Sequence, residues 1–309
     1  MARPYLPYLV LGISVLAVST AALLIKAAMA EGVSAIAIAF WRMAIAGTLM
    51  AVLAGSRRGA RQSWRDVTPR TQVWMIAAGF FLALHIAAWI SSLAYTSVAS
   101  STALVTTNPV WLALFAWLFM QDKPDRWIWL GVGLSVCGSA LVFLAPATSI
   151  VAGGAPEPPE SPMLGNTLAL IGSLTVCGYL LIGRHVNSGG TAPQLLTYVS
   201  VVYLSAAVLL LAASVAMGAS LIGFSATAWA MLIALALGPQ VLGHSGINWS
   251  LRHLPPTLVA IAILGEPLGS AFLAYWLLGE QVTWLQGLGF GLIVLGIIMA
   301  AQTKPRQAA

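Results

Sequence analysis

The sequence predicts an all-α polytopic membrane protein of ten transmembrane helices, built as two inverted five-helix repeats. Three observations predict it: an apolar composition, an internal duplication, and a regular alternation of basic and non-basic loops. Of 309 residues, 60% are hydrophobic and 7% charged, which leaves too little polar surface to cover a water-soluble globule of this size. Lipid must be part of the solvent. Apolar runs recur from end to end at intervals of about 20 to 30 residues, each long enough for a helix crossing a hydrocarbon core of about 30 Å. They are continuous, unlike the alternating strands of about ten residues that build a barrel.

The duplication is read directly. Residues 108 to 138 reappear without a gap 158 positions later (266 − 108 = 158), and nine of the 31 pairs are identical. Asn108-Pro109 falls on Glu266-Pro267, Asp122 on Glu280, and Gly131, Gly133 and Gly138 on Gly289, Gly291 and Gly296. The same offset pairs Lys26 with Arg184, Gly32 with Gly190, Phe40 with Tyr198, and Ser92-Leu93 with Ser250-Leu251. Copies with an odd number of spans must sit upside down relative to one another, which is the architecture of alternating-access carriers.

The first helix runs from Leu6 to Met29. It imitates a secretory signal, with Arg3 before it and Ala28-Met29-Ala30 as an apparent cleavage site. Its apolar run from Leu6 to Ile25 exceeds the usual signal core of about 7 to 15 residues, and it has a counterpart in the sixth helix, so it is read as a retained span. Lys26 lies at its outer end, where it can snorkel to the headgroups. The second helix, Val33 to Leu53, carries Trp41 and Arg42; the third, Val73 to Leu93, carries His85 and Trp89. The fourth, Val98 to Met120, contains Asn108 and Pro109, and the fifth runs from Trp127 to Ala145. These make a first unit over residues 1–150. A Pro-, Glu- and Gly-rich external linker, 151–162, separates it from a second unit over 163–309.

In that second unit the helices are Leu164 to Gly183, Pro193 to Ala216, Ala226 to Asn248, Pro256 to Leu278 and Thr283 to Ala301. Gly238-Pro239 interrupts the third of these, which carries Gln240, His244 and Asn248. Gly287 and Gly291 form a small-xxx-small pair, Gly131 and Ser135 another, so the fifth and tenth helices read as scaffold or as an oligomer contact. Cys137 and Cys177 lie inside helices and read as inert packing residues rather than a disulfide or metal framework.

Orientation follows from the loops. Arg57, Arg58, Arg61, Arg65 and Arg70 lie between helices 2 and 3, Lys123 and Arg126 between 4 and 5, Arg184 at the end of 6, Arg252 between 8 and 9, and Lys304 and Arg306 after 10. With Arg3 these are twelve of the fourteen basic residues. The intervening loops hold Glu157 and Glu160 but no Lys or Arg. Because basic loops stay in the cytoplasm, both termini are expected there. The net charge of +6 needs no nucleic-acid partner to explain it.

Ionisable groups deep in a membrane cost at least about 2.5–3.5 kcal/mol, so each is a functional hypothesis. Arg42 and Glu266 both fall near the midplane and come from opposite halves. They read either as an ion pair across a central cavity or as substrate contacts. His85 with Trp89, and Gln240, His244 and Asn248, recur at i, i+4 and so share helical faces. Interhelical hydrogen bonding is the alternative to a polar cavity wall. Pro109 and Pro267 deprive the carbonyls of Val105 and Ile263 of their partners, and paired breaks of this kind mark a carrier's binding site. Trp64, Trp74, Trp127 and Trp129 belong to an interfacial belt, whereas Trp41, Trp89 and Trp249 are placed to meet a ligand. The expected substrate cavity is therefore Trp41, Arg42, His85, Trp89, Asn108, Pro109, Gln240, His244, Asn248, Glu266 and Pro267, with no metal and no cofactor.

The string Leu264-Gly265-Glu266-Pro267-Leu268, followed by Leu277-Leu278-Gly279-Glu280 and the glycine-rich close from Gly287 to Gly296, resembles the second EamA repeat of the drug/metabolite transporter superfamily. The first repeat departs from that pattern, with Asn108-Pro109 and Gln121-Asp122. The resemblance implies carriage of small metabolites across the inner membrane of a bacterium, commonly outward. Among its branches the chain looks most like the YddG-type exporters of aromatic amino acids.

A carrier that exports small amphipathic metabolites, aromatic and other bulky amino acids foremost, is therefore expected. Its partners are a small-molecule substrate and the lipid bilayer. No G-x-x-x-x-G-K-[ST] run offers an ATP site, which leaves facilitated transport or ion coupling, with Glu266, His85 and His244 as proton carriers. A carrier of another metabolite or drug class is the alternative. An intramembrane enzyme using His85 or His244 is less favoured because no H-E-x-x-H cluster exists, and a channel because of the inverted repeat.

Overall fold

The computed structural model describes residues 5–56, 67–120, 126–145, 149–150, 156–157, 161–187, 194–250, 253–254 and 256–301. Arg3, Arg57, Arg58, Arg61, Arg65, Lys123, Arg252, Lys304 and Arg306 lie outside them, as do Trp64, Gln121, Asp122, Glu160 and Gly190.

The chain folds into α1 (Leu6–Ser19), α2 (Ala21–Ala30), α3 (Ala35–Ser56), α4 (Pro69–Ser92), α5 (Val98–Val105), α6 (Asn108–Met120) and α7 (Arg126–Leu144). After a two-residue antiparallel pairing of Ser149–Ile150 with Pro156–Glu157 come α8 (Pro162–Asn187), α9 (Leu195–Ala216), α10 (Ala226–Leu235), a π-helix (Ala236–His244), α11 (Ser245–Ser250), α12 (Pro256–Ile263), α13 (Gly265–Leu278) and α14 (Trp284–Ala301). Among the described residues seven spans are long and apolar enough to cross a membrane: Leu6–Ala30, Ala35–Ser56, Pro69–Ser92, Arg126–Leu144, Pro162–Val186, Leu195–Ala216 and Ala226–Ser250. The fold is that of a polytopic helical membrane protein.

Local chemistry starts and stops these helices. Thr68 caps α4 by accepting the Thr71 N–H and Pro69 follows at the first helical position, where its missing N–H costs nothing. Ser97 caps α5 and Ser225 caps α10 in the same way, each satisfying an orphan donor. Proline explains the interruptions. Pro109 cannot bond the Val105 carbonyl, and α5 stops there; Thr106 and Thr107 make the turn, their hydroxyls donating to Thr102 O at 2.8 Å and Leu104 O at 2.7 Å. Pro267 produces a shorter break, confined to Leu264. Pro239 sits within the π-helix, whose wider turn accommodates a residue that lacks an N–H and would clash in a tighter coil.

Helices from the two halves of the chain pack as antiparallel pairs. A Cβ on Gly138 would meet Gly289 O at 2.5 Å, while one on Gly296 would meet Gly131 and Ser135, so α7 and α14 touch through backbone. Numbering rises along one as it falls along the other, and the offset of 158 carries the Gly138–Gly289 contact onto Gly296–Gly131. Of the two small-residue pairs, Gly131 and Ser135 meet Gly296, whereas Gly287 and Gly291 have nothing within 4 Å among the described residues, and α14 makes its close approach through Gly289 and Gly296, on the other face. Gly178 faces Phe81, Gly172 faces Trp89 and Gly165 faces Thr96, so α8 runs antiparallel to α4. On the far side Gly246 and Gly243 press on Ser14 and Val18 of α1, and Ser14 Oγ donates to Leu242 O at 2.9 Å. Shifted by 158, the Trp89–Gly172 contact becomes Ile247–Ser14, one residue from the observed one.

The central core holds Ile25, Ile38, Met43, Met75, Ile86, Ile90, Val202, Tyr203, Leu232 and Leu235. Large apolar side chains such as Leu16, Val208, Phe272 and Leu277 remain on the outer surface, as lipid permits. Trp74, Trp127 and Trp129 are exposed. Cys177 is buried, but Cys137 is exposed and is not a packing residue, because it lies on the α7 face turned away from α14.

Candidate functional site

Five elements bring polar residues to an internal cavity of about 290 Å³, at the small end of the usual range for small-molecule sites, roughly 300–1,000 Å³. His85 and Trp89 enter it from α4, Asn108 and Pro109 from the start of α6, Gln240, His244 and Asn248 from the π-helix and α11, and Glu266 from the start of α13. Apolar wall comes from Leu82, Ile86, Val176, Leu180, Val259 and Ile263. Both proline breaks therefore abut the cavity. Pro267 is buried one residue beyond its edge, which is formed by Glu266.

Arg42, on α3, is completely buried and stands behind this wall. Its Nε donates to Gln240 Oε1 at 2.8 Å, and its guanidinium carbon lies 5.4 Å from the centroid of the Trp89 ring, within range of a cation–π attraction. The two terminal nitrogens have no hydrogen-bond partner among the described residues. Of the two readings of Arg42 and Glu266, the ion pair is not formed: Lys26–Glu280 is the ion pair found among the described residues. Gln240 and Trp89 hold the guanidinium in place, so the Glu266 carboxylate keeps its side of the cavity without it.

The remaining polar groups are oriented by what they already bond. His85 Nδ1 lies 2.8 Å from Gly172 O; a carbonyl only accepts, so Nδ1 carries a proton, and in the neutral ring Nε2 is left as an acceptor. The His85 and Trp89 rings lie nearly parallel, 9° apart, with centroids 6.4 Å apart. The Trp89 indole nitrogen is buried without a hydrogen-bond partner among the described residues. Because Arg42 occupies Gln240 Oε1, the amide nitrogen is the end of Gln240 that donates, with the Tyr203 hydroxyl as its neighbour. Tyr203 in turn lies 3.4 Å from Ser245 Oγ, and Tyr179 shares a hydrogen bond with Asn248.

Trp41, an expected member of the cavity, and Trp249, expected to meet a ligand, lie elsewhere. Trp41 donates its indole N–H to Leu221 O at 2.9 Å and packs on Trp229, which holds the loop before α10 rather than facing the cavity. Trp249 stacks on His253 with centroids 4.0 Å apart, one face round the helix from Asn248. Conversely, Tyr179 and Tyr203 line the cavity and sequence reasoning passed over them. The signal was present: tyrosine belongs at the membrane interface, so one far inside a span needs a polar partner.

A second cleft, about 420 Å³, lies across the α5–α6 break and is lined by Val110, Trp111, Val136, Phe143 and Leu170 among others. Its hydroxyls are committed, Thr107 to Leu104 O and Ser173 and Ser139 to Ser135 O. Among the described residues it offers no charged group, whereas the central cavity carries Glu266, His85 and His244.

Comparison with known proteins finds a family and a fold. The model of the EamA-like transporter family matches twice, over residues 6–144 and 163–302. An uncharacterized transporter of Synechocystis sp. is 28% identical over 102 residues, 31% of this chain and 30% of that protein's length. A probable 4-amino-4-deoxy-L-arabinose-phosphoundecaprenol flippase subunit of Hamiltonella defensa is 26% identical over 88 residues, 28% of this chain and 79% of that one. A UPF0060 membrane protein of Chromobacterium violaceum is 30% identical over 104 residues, 33% of this chain and 90% of that one. Less than half of this chain thus aligns with most of each of the two shorter relatives. One crystal structure superposes with a TM-score of 0.62 at 19% identity, covering 95% of this chain and 96% of that one, a likeness of fold.

Proposed function

Since the chain belongs to the EamA-like transporter family and is a membrane transporter, we propose that it exports small amphipathic metabolites, aromatic and other bulky amino acids foremost, across a bacterial inner membrane. The observation that carries this reading is the cavity between the two proline breaks. An amino acid brings a carboxylate, an ammonium and an apolar side chain, and the wall has a counterpart for each. The Gln240 amide, backed by the unpaired end of Arg42, suits the carboxylate; Glu266 and the His85 Nε2 suit the ammonium; Trp89, Leu82, Ile86 and Val259 suit the side chain.

The proposal includes ten spans in two inverted five-helix units, 1–150 and 163–309, joined by the linker 151–162. The two proline-broken helix pairs, α5 with α6 and α12 with α13, together with α14, supply three spans beyond the seven. The antiparallel α7–α14 contact that maps onto itself under the offset supports the inversion. Transport then follows from rocking of one half on the other about the cavity. With both termini cytoplasmic, a cysteine introduced by Ser63→Cys, outside the described residues, is labelled from the inside only. External labelling in intact cells rules this topology out.

Counterflow in liposomes loaded with unlabelled amino acids, nucleobases or sugars is the decisive experiment. Accumulation of labelled phenylalanine or tryptophan against its gradient is expected. Accumulation of a different class alone reassigns the substrate, passive leak without counterflow indicates a channel, and chemical conversion of the solute indicates an enzyme.

A further inference from the structure

The cavity is displaced toward one end of the molecule. Its lining includes Ile247 and Asn248 on α11, Val259 on α12 and Ile297 on α14, so it reaches to about one turn from the helix ends at Ser250, Pro256 and Ala301. In the other direction it stops at the breaks. Val105 is the one residue of α5 that touches it, and Glu266 the one residue of α13; beyond them Val98 to Leu104 are buried throughout.

That closed end is held by polar ties between elements far apart in sequence. Lys26 was expected to snorkel outward; instead its Nζ lies 2.9 Å from Glu280 Oε1, in the α13–α14 connection, with the two side chains 12% and 2% exposed. Snorkelling loses because a buried carboxylate stands within reach. Glu280 Oε2 accepts the Val98 N–H at 2.8 Å, at the first residue of α5. One carboxylate thereby joins α2, α5 and the α13–α14 connection, and it sits where the positive end of a helix favours it. Nearby, Gln286 Nε2 donates to Ser100 Oγ at 2.9 Å, Thr96 Oγ1 to Asn166 Oδ1 at 2.7 Å, and Asn166 Nδ2 to Phe143 O at 3.0 Å.

The duplication provides an internal control. At the offset of 158, Val98 becomes Pro256, Ser100 becomes Leu258, Gln286 becomes Ile128, Thr96 becomes Leu254 and Asn166 becomes Tyr8. Proline has no N–H to give, and leucine and isoleucine side chains neither donate nor accept. The charge pair alone has a counterpart in kind, Arg184 and Asp122. The hydrogen-bonded ties are therefore peculiar to one end and not inherited from the repeat. Stability does not require them, since apolar packing of equal volume serves as well as a buried ion pair. What a dry ion pair adds is a contact that is either fully made or must be fully hydrated, the behaviour of a gate.

We propose that Lys26, Glu280 and the Val98 N–H form a latch that shuts this end of the transporter and must part before the cavity opens there. The inference rests on the alternating-access reading. In the orientation given by the basic loops this is the external end, so the structure is the inward-open state and parting the latch is the outward-opening step.

The test uses the full chain carrying Cys137→Ala and Cys177→Ala, with Ser101→Cys as reporter. Ser101 is buried, one turn in from Val98, and its hydroxyl lies 2.6 Å from that of Ser92. A membrane-impermeant maleimide is added from each side of reconstituted vesicles in turn. Glu280→Gln is expected to speed labelling from the latch side by about tenfold, the size of a modest shift between two states. Lys26→Met keeps the Val98 bond and should give a smaller rise, about threefold. Should Glu280→Gln fail to insert, Lys26→Met decides alone. Labelling no faster than in the parent for every inserted variant overturns the latch. Counterflow on the same vesicles separates the two claims: faster labelling in a chain whose parent transports nothing upholds the latch and overturns the carrier reading, whereas a transporting parent with unchanged labelling does the opposite.

Discussion

The two halves bring proline breaks at equivalent positions to the cavity and different chemistry. In the first, a regular helix presents His85 and Trp89, and the break at Pro109 is flanked by Thr106, Thr107 and the neutral Asn108. In the second, the corresponding helix passes through nine π-helical residues to present Gln240 and His244, and the break at Pro267 carries the acid Glu266. A carrier that alternates between two states needs halves that can exchange shape, which favours equivalent breaks at Pro109 and Pro267. Its substrate has no such symmetry. For the amino acid proposed as substrate, one carboxylate facing one ammonium is enough, and a second buried acid in place of Asn108 would add another desolvated charge.

The largest effect expected from this contrast is at the two breaks. Glu266→Gln should lower the initial counterflow rate by about tenfold or more with the inserted amount unchanged, since it removes a charge from the wall while keeping its shape. Asn108→Ala, at the equivalent position, should lower it by no more than about threefold. Equal losses from both would show that the halves contribute alike and that the acid has no separate role.

Next in size is a contrast between the face shared by α7 and α14 and the outer face of α14. Gly138→Ala places a Cβ 2.5 Å from Gly289 O, backbone that cannot move aside, and overpacking of this kind costs about 1–3 kcal/mol. Gly291→Ala meets nothing within 4 Å and gains helix propensity, up to about 1 kcal/mol. The thermal midpoint in detergent should therefore fall for the first and hold or rise for the second. A fall for both would mean that the outer face of α14 is covered in solution by something the single chain does not contain.

How far the sequence reveals this molecule depends on whether a feature is local. Pro109 and Pro267 act on their own carbonyls, so the breaks, and the helices on either side, are visible from residue order alone. The i, i+4 sets on α4 and the π-helix face one cavity for the same reason. Partner choice is not local. Arg42 had two acceptors at similar depth, and packing of α3 against α9 and the π-helix, not charge, gave it to Gln240 instead of Glu266. Lys26 had lipid headgroups on one side and Glu280 on the other, 254 residues away. The faces of Trp41 and Trp249 likewise depend on which loop or ring they meet, and Gly289 rather than Gly291 touches α7 because of a helix rotation that small-residue spacing does not encode.

The smallest expected effect concerns the walls at one equivalent pair, Trp89 and Ile247, which the offset superposes and which both line the cavity. Trp89 offers a ring to the Arg42 guanidinium as well as apolar surface, whereas Ile247 offers methyl groups alone. Trp89→Phe keeps an aromatic wall but weakens the cation–π attraction, worth about 0.5–2 kcal/mol for tryptophan, and loosens the guanidinium that orients Gln240. The half-saturation concentration for an aromatic amino acid should rise about threefold, the equivalent of ~0.7 kcal/mol. Ile247→Val removes one methylene from the opposite wall, and its effect should be smaller still, because one methylene shifts no polar group. Should Ile247→Val instead raise half-saturation as much as Trp89→Phe, the wall would be acting by shape alone, and Arg42 would have no part in holding the substrate.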